Sequence, residues 1–259
     1  MSLFVTAKVE IQETAATIGA ERELISLAVD AIKAARLDIE RQIRKDRFFL
    51  TTLEPYEPDK HSSRIVQRMC EASNVAGVGP MATVAGTIAQ EALEAMEAAG
   101  CTHGWVDNGG DIALILDDSA TLEVFSEPGS DSAFALELER SDRHFGICTS
   151  SGRLGHSISF GNADVVVVIA QDAVIADALA TAVGNRISLP EDLRTCFDGF
   201  KSTPGLIGAL AMCDGSVATH GRVPRIVEVE HNAERLTVHT RMASSKYLGA
   251  QQKRAEVRT

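Results

Sequence analysis

At 259 residues and 45% hydrophobic, the chain can bury a large core and is too apolar for a disordered segment. Its 36 acidic residues outweigh 25 basic ones, and a formal charge of −11 argues against a general nucleic-acid binder, which needs cations to displace phosphate counterions. Five cysteines (Cys70, Cys101, Cys148, Cys196 and Cys213) are odd in number and include no C-x-x-C pair, so neither a disulfide framework nor a structural zinc site is expected.

Phe4–Ile11 alternates and predicts an opening strand paired with Thr14–Ile18. Residues 21–46 repeat Leu24, Ala28, Ala31, Ile32, Ala35, Ile39 and Ile43 at three- and four-residue steps, which predicts a long helix. Its basic end, Arg41–Arg47, reads as solvated surface. Pro55 and Pro58 break the chain, and Ser62 or Ser63 caps a short helix ending near Ala72. The small-residue stretch Gly77–Gly86 enters a helix that ends near Ala99, with Gly100 as its stop. Gly104–Asp107 and Asp111–Leu116 read as a hairpin joined by Asn108-Gly109-Gly110, and segments 121–125, 134–139 and 145–149 as a meander. The run Val165–Ile169 predicts a buried central strand, followed by a helix over Ala173–Arg186. Gly205–Met212, Val217–Thr219 and Ile226–Glu230 complete the strands. Long helices beside an antiparallel or mixed sheet make an α+β layered fold, with one domain over 1–242 and a polar tail over 243–259. No apolar run approaches the roughly eighteen residues of a membrane span, and no basic-then-apolar leader is present. A cytoplasmic protein without membrane or nucleic-acid partners is expected, with a homo-oligomer left open.

Four segments carry candidate chemistry. Asp177 and Thr181 stand four residues apart on the last helix, so both project from one face. They suit a hard divalent cation, and equally an exposed acid beside an ordinary threonine. Asn108-Gly109-Gly110-Asp111 is either a turn whose amides bind an anion or a plain hairpin. Thr149-Ser150-Ser151-Gly152, with His156 beyond, is either a polar ligand lining with a general base or a hydroxyl-rich loop with a surface histidine. Gly77–Gly86 lacks the Gly-Lys-Ser/Thr ending of a phosphate loop, which leaves a helix entry whose amides can face a phosphate.

The order of these segments resembles the ApbE superfamily, the FAD:protein FMN transferases, over about residues 75–187. Ala82–Gly86, the Gly-Gly-Asp turn and Thr149–Gly152 come in the family's order, and Ala176–Ala182 matches its last motif almost letter for letter. The resemblance implies a mixed α/β layered domain with a flavin cleft between its lobes. It implies magnesium held by Asp177 and Thr181 with a backbone carbonyl from the Ala82 segment. Asn108, Gly109, Gly110, Asp111, Thr149, Ser150, Ser151 and Gly152 would line the path of FAD or FMN, and His156 would act as base on the threonine of an acceptor protein. Two departures stand out: Val84-Ala85-Gly86 lacks the family's lysine, and Ser159-Phe160 replaces an acid and a proline beyond the histidine. Flavin or nucleotide binding without transfer is therefore one alternative. Another, suggested by relatives of this branch, is an accessory enzyme of sulfur assimilation or homocysteine formation.

Overall fold

The computed structural model describes residues 3–126, 132–151, 161–230, 241–244 and 255–256. Strands β1 (Phe4–Ile11) and β2 (Thr14–Glu21) form the opening hairpin, turning at Gln12 with φ 52°. The periodic stretch after them is helix α1 (Ile25–Lys45), whose buried face carries Ala28, Ile32, Ala35 and Ile39. A single turn, α2 (Phe48–Thr51), precedes the proline break. Helix α3 (Arg64–Ala76) starts at Ser63, whose hydroxyl accepts from the Val66 amide, and stops at Gly77 in the left-handed region. A 3-10 turn over Pro80–Thr83 leads into α4 (Val84–Ala98).

The remaining strands are β3 (Gly104–Asn108), β4 (Asp111–Leu116), β5 (Ala120–Ser126), β6 (Ser132–Leu138), β7 (Ser141–Ser150) and β8 (Val165–Ala170). After helix α5 (Ala173–Gly184) come β9 (Leu206–Cys213), β10 (Ser216–Gly221), β11 (Arg225–Glu230), β12 (Arg241–Ser244) and β13 (Ala255–Glu256). Among the described residues they make a large sheet, ordered β10-β9-β8-β7-β4-β3-β2-β1-β13, and a small one, ordered β11-β6-β5-β12. All neighbours are antiparallel except β1 and β13, so the expected α+β architecture is the one observed. Inside the stretch expected as a tail, β13 pairs with β1, and β12, at its start, pairs with β5.

The meander divides between the sheets: β7 stays in the large one, whereas β5 and β6 leave for the small one. Leu122, Val124, Leu136 and Leu138 join the core between the sheets, while Phe134 and Glu137 are exposed. The large sheet is covered on both faces. Val166 and Val168 of β8 meet the helical layer, and Val165, Val167 and Ile169 meet the small sheet, which is why this strand is an unbroken apolar run.

Helix α5 lies deepest in the helical layer, with Ala176, Ala178 and Ala180 essentially inaccessible. Its backbone comes close to its neighbours because two of them are glycines. A Cβ on Gly86 of α4 would stand 2.3 Å from the Ala173 carbonyl oxygen, and one on Gly146 of β7 would stand 2.3 Å from Ala173 Cα. Asp172 caps the helix, accepting from the Ile175 amide at 3.0 Å, and also pairs with Arg68 at 3.4 Å. Asp172→Ala should cost about 1–2 kcal/mol through the lost cap, read as a fall in Tm of about 2–4 °C per kcal/mol. An unchanged Tm would contradict the capping role.

Candidate functional site

Several chain reversals gather at one end of the large sheet. They are the β1–β2 turn, the β3–β4 turn, the end of β7 and the start of β8, with the entry of α4 behind them. Together with one side of α1 they enclose a cavity of about 830 Å³, within the size range of small-molecule sites. Asn108, Gly109, Asp111, Thr149 and Ser151 line it, so most of the sequence-predicted ligand residues share one wall.

The β3–β4 turn is held from three sides. Gly109 and Gly110 adopt φ of 76° and 99°, conformations that other residues resist. Asp107 accepts from the Gly110 amide at 2.9 Å, and the Gly110 carbonyl accepts from both the amide and the hydroxyl of Thr149 at 3.2 Å. The Asn108 side chain donates to the Ala85 carbonyl at 3.2 Å and so ties the turn to the start of α4.

Asp177 is not the exposed helix-start acid that its sequence allowed. It is buried, and its Oδ2 accepts from the Gly86 amide at 2.8 Å, across the close α4–α5 contact. Asp111 heads β4 opposite Cys148 of β7, and its Oδ1 is sealed from solvent with no hydrogen-bond partner among the described residues. Burial pushes the Asp177 carboxyl upward against the pull of the Gly86 and Ala85 amides. Burial and then the Asp177 charge push Asp111 well above the usual carboxylate range. Burial also raises Asp107 to about 7, with the Gly110 amide opposing. Asp107 and Asp177 thus both oppose the charge of Asp111, which favours its protonated form, although no three His, Cys, Asp or Glu side chains among the described residues are grouped closely enough to hold a metal ion by themselves.

The other expected residues are placed as follows. Thr181 is half-buried one turn beyond Asp177. Ala82 sits in the 3-10 turn that packs against α5. Ser150 faces the opposite way from Thr149, toward Gly184 at the end of α5, where an added Cβ would meet its hydroxyl at 3.1 Å. Gly152 and His156 lie outside the described residues.

Three groups at or beside the cavity escaped the sequence reading, of which Arg36 and Arg44 line it. Asp107 was hidden as the last residue of a predicted strand. Arg36 donates to Gln12 Oε1 at 2.6 Å and Thr14 Oγ1 at 2.7 Å, bonds Glu13 as well, and so clamps the β1–β2 turn. Arg44 also lines the cavity, at the basic end of α1, where Arg41, Arg44 and Lys45 are solvated as expected. The available signal was Arg36, Glu40 and Arg44 at four-residue steps, a charged stripe on one face of an amphipathic helix.

A family model described as "AbpE bacteria" matches residues 4–196. The chain belongs to this ApbE-like family. Its relatives include the "UPF0280 protein" of Methanocella arvoryzae, 44% identical over 232 residues that span 90% of this chain and 95% of that one. The "UPF0280 protein" of Archaeoglobus fulgidus is 40% identical over 235 residues, spanning 89% and 97%. Solved structures share the ApbE-like fold at low identity. The ApbE protein of Thermotoga maritima superposes with TM-score 0.59 at 14% identity over 85% of this chain and 97% of its own. "Flavin Transferase ApbE from Vibrio cholerae" gives TM-score 0.56 at 12% identity over the same shares.

The cysteines of this ApbE-like chain are all buried, and none forms a disulfide. Burial raises the Cys70 thiol to about 12 and Cys101 to about 11, and raises Cys148 and Cys196 as well. The sulfur-metabolism alternative would use Cys101, Cys148 or Cys196 as a sulfur carrier, and a carrier needs an accessible thiolate. All five thiols should resist a disulfide-exchange reagent for hours in the native protein and react within minutes once it is unfolded. Fast native labelling of Cys101, Cys148 or Cys196 would revive the sulfur-metabolism alternative. No helix among the described residues is long and apolar enough to cross a membrane.

Proposed function

We propose that the 830 Å³ cavity binds FAD and that the chain transfers FMN from it to a threonine of an acceptor protein, with magnesium held at Asp177 and Thr181. One observation carries the reading: Asp111, its Oδ1 sealed from solvent and its charge supported among the described residues only by the Cys148 thiol and the Thr149 amide, is a carboxylate whose ionisation the buried Asp177 opposes, at the wall of a ligand-sized cavity. Oxygen donors with surplus negative charge suit magnesium, and burial raises the neighbouring Cys148 thiol, which keeps it from competing as a thiolate ligand. Asp177, Thr181 and the Ala82 carbonyl would hold the ion, with Asp111 adding charge beside it. Magnesium, when bound, offsets the charge of the FAD pyrophosphate.

The chain's own residues do the rest. The Asn108–Asp111 turn and the hydroxyls of Thr149 and Ser151 orient the dinucleotide on one wall. Arg36 keeps the β1–β2 turn in place at the mouth. His156 takes the proton from the acceptor threonine as its oxygen bonds to the FMN phosphorus. The phosphorus–oxygen bond to AMP breaks, and AMP leaves with the electron pair. The test is incubation with FAD, magnesium and a threonine-bearing acceptor, following AMP release and flavin attached to protein. Intact FAD after prolonged incubation with candidate acceptors would remove transfer and leave flavin binding as the reading.

A further inference from the structure

The large sheet has a second cavity, of about 960 Å³, at the other end of β7 and β8. It opens between the start of β7, the start of β9 and the link from β10 to β11. Arg143 in this cavity and Thr149 in the first are six residues apart on β7, about 20 Å along an extended strand. The two cavities have no lining residue in common.

Although the chain carries −11 overall, four arginines line this cavity. Two of them are engaged: Arg140 pairs with Asp142 at 2.8 Å and Arg225 with Glu137 at 3.3 Å. His144, also in the lining, pairs with Glu97 at 2.7 Å. Arg143 and Arg222 have no carboxylate partner among the described residues, and Glu139 is the one further acid of the lining. Phe145, Ile207 and Val223 of the same lining are partly buried against the core between the sheets. A lining that combines guanidinium groups with apolar side chains matches an acidic head group joined to an apolar body, because the guanidinium fork binds two oxygens at once while the apolar surface excludes water.

We propose that this second cavity binds a small amphipathic anion, a carboxylate or phosphate monoester, with its acidic group between Arg143 and Arg222 and its apolar part on Phe145, Ile207 and Val223. The site is independent of the flavin reading, since it uses none of the same residues. The probe is anilinonaphthalene sulfonate, an aromatic anion whose fluorescence rises in apolar surroundings, titrated into the whole protein. A saturable component should appear and weaken at least tenfold in the R143Q/R222Q double variant, while persisting in Asp177→Asn. Octanoate and octyl phosphate should displace it, and the one effective at lower concentration identifies the head group. Octylammonium and inorganic phosphate should not displace it at those concentrations. Val223→Glu, which keeps both arginines, should abolish the same component. Equal binding in the double variant, or equal displacement by octylammonium, would overturn the proposal; so would displacement by inorganic phosphate as effective as that by octyl phosphate.

Discussion

Asp177→Asn should reduce magnesium-dependent FAD turnover by about 100-fold or more, the scale expected when a metal site loses a charged ligand. The fold should survive. An amide oxygen can still accept from the Gly86 amide, which Asp177 accepts at 2.8 Å, so this hydrogen bond between α4 and α5 is kept. Removing this charge also relieves Asp111, whose carboxyl the Asp177 charge helps to hold upward. Asp177→Ala lacks the oxygen and should lose stability as well as turnover. The two variants together therefore separate the chemical role from the structural one.

The same carboxylates set a pH dependence whose sign is fixed. Asp107, Asp111 and Asp177 all have folded-state values raised above their ordinary 3.8, Asp107 to about 7. Between about pH 4 and pH 7 the folded protein then binds protons that the unfolded chain has released, so these groups make stability fall as pH rises. Without divalent ions, the stability advantage of Asp177→Asn over the wild type should grow with pH across that window, and magnesium should narrow it at pH 7. Melting curves at half-unit pH steps with a chelator present provide the check. A gap that stays constant with pH would mean that Asp177 keeps an ordinary carboxyl.

The second large effect concerns Gly86→Ala. The added methyl would stand 2.3 Å from the Ala173 carbonyl oxygen and 2.8 Å from Asp177 Cβ, and neither is the far end of a flexible chain. Helices α4 and α5 must separate, at a cost of about 3 kcal/mol or more, which for a chain of this size lowers Tm by roughly 6–12 °C. The separation also moves the amide that holds Asp177, so magnesium-dependent binding should fall with it. Gly77→Ala is the control for stability alone. Gly77 has φ 72°, but nothing lies within 4 Å of an added Cβ, so the cost there is backbone strain at the end of α3, away from the site.

The helices and the first hairpin were legible because each follows one period: α1 repeats apolar residues every three or four positions, and β1 alternates. The departure of β5 and β6 into a second sheet was not legible. Their alternation fixes which face is buried but does not specify which sheet they join. The candidate site divides in the same way. Gly109 and Gly110 announced their turn, because a reversal between two strands needs positive φ. Asp177 gave no sign of its burial. Its partner amide belongs to Gly86, 91 positions earlier, and the contact exists only because Gly86 has no side chain. Arg36 was missed for a similar reason: its partners lie on a hairpin more than 20 residues upstream.

The most direct test of the central claim is a titration of the purified protein with FAD, with and without magnesium, followed by flavin fluorescence. The account predicts saturable binding that requires magnesium and is lost in Asp177→Asn. Magnesium-independent binding that Asp177→Asn leaves unchanged, or no binding in either condition, would contradict it.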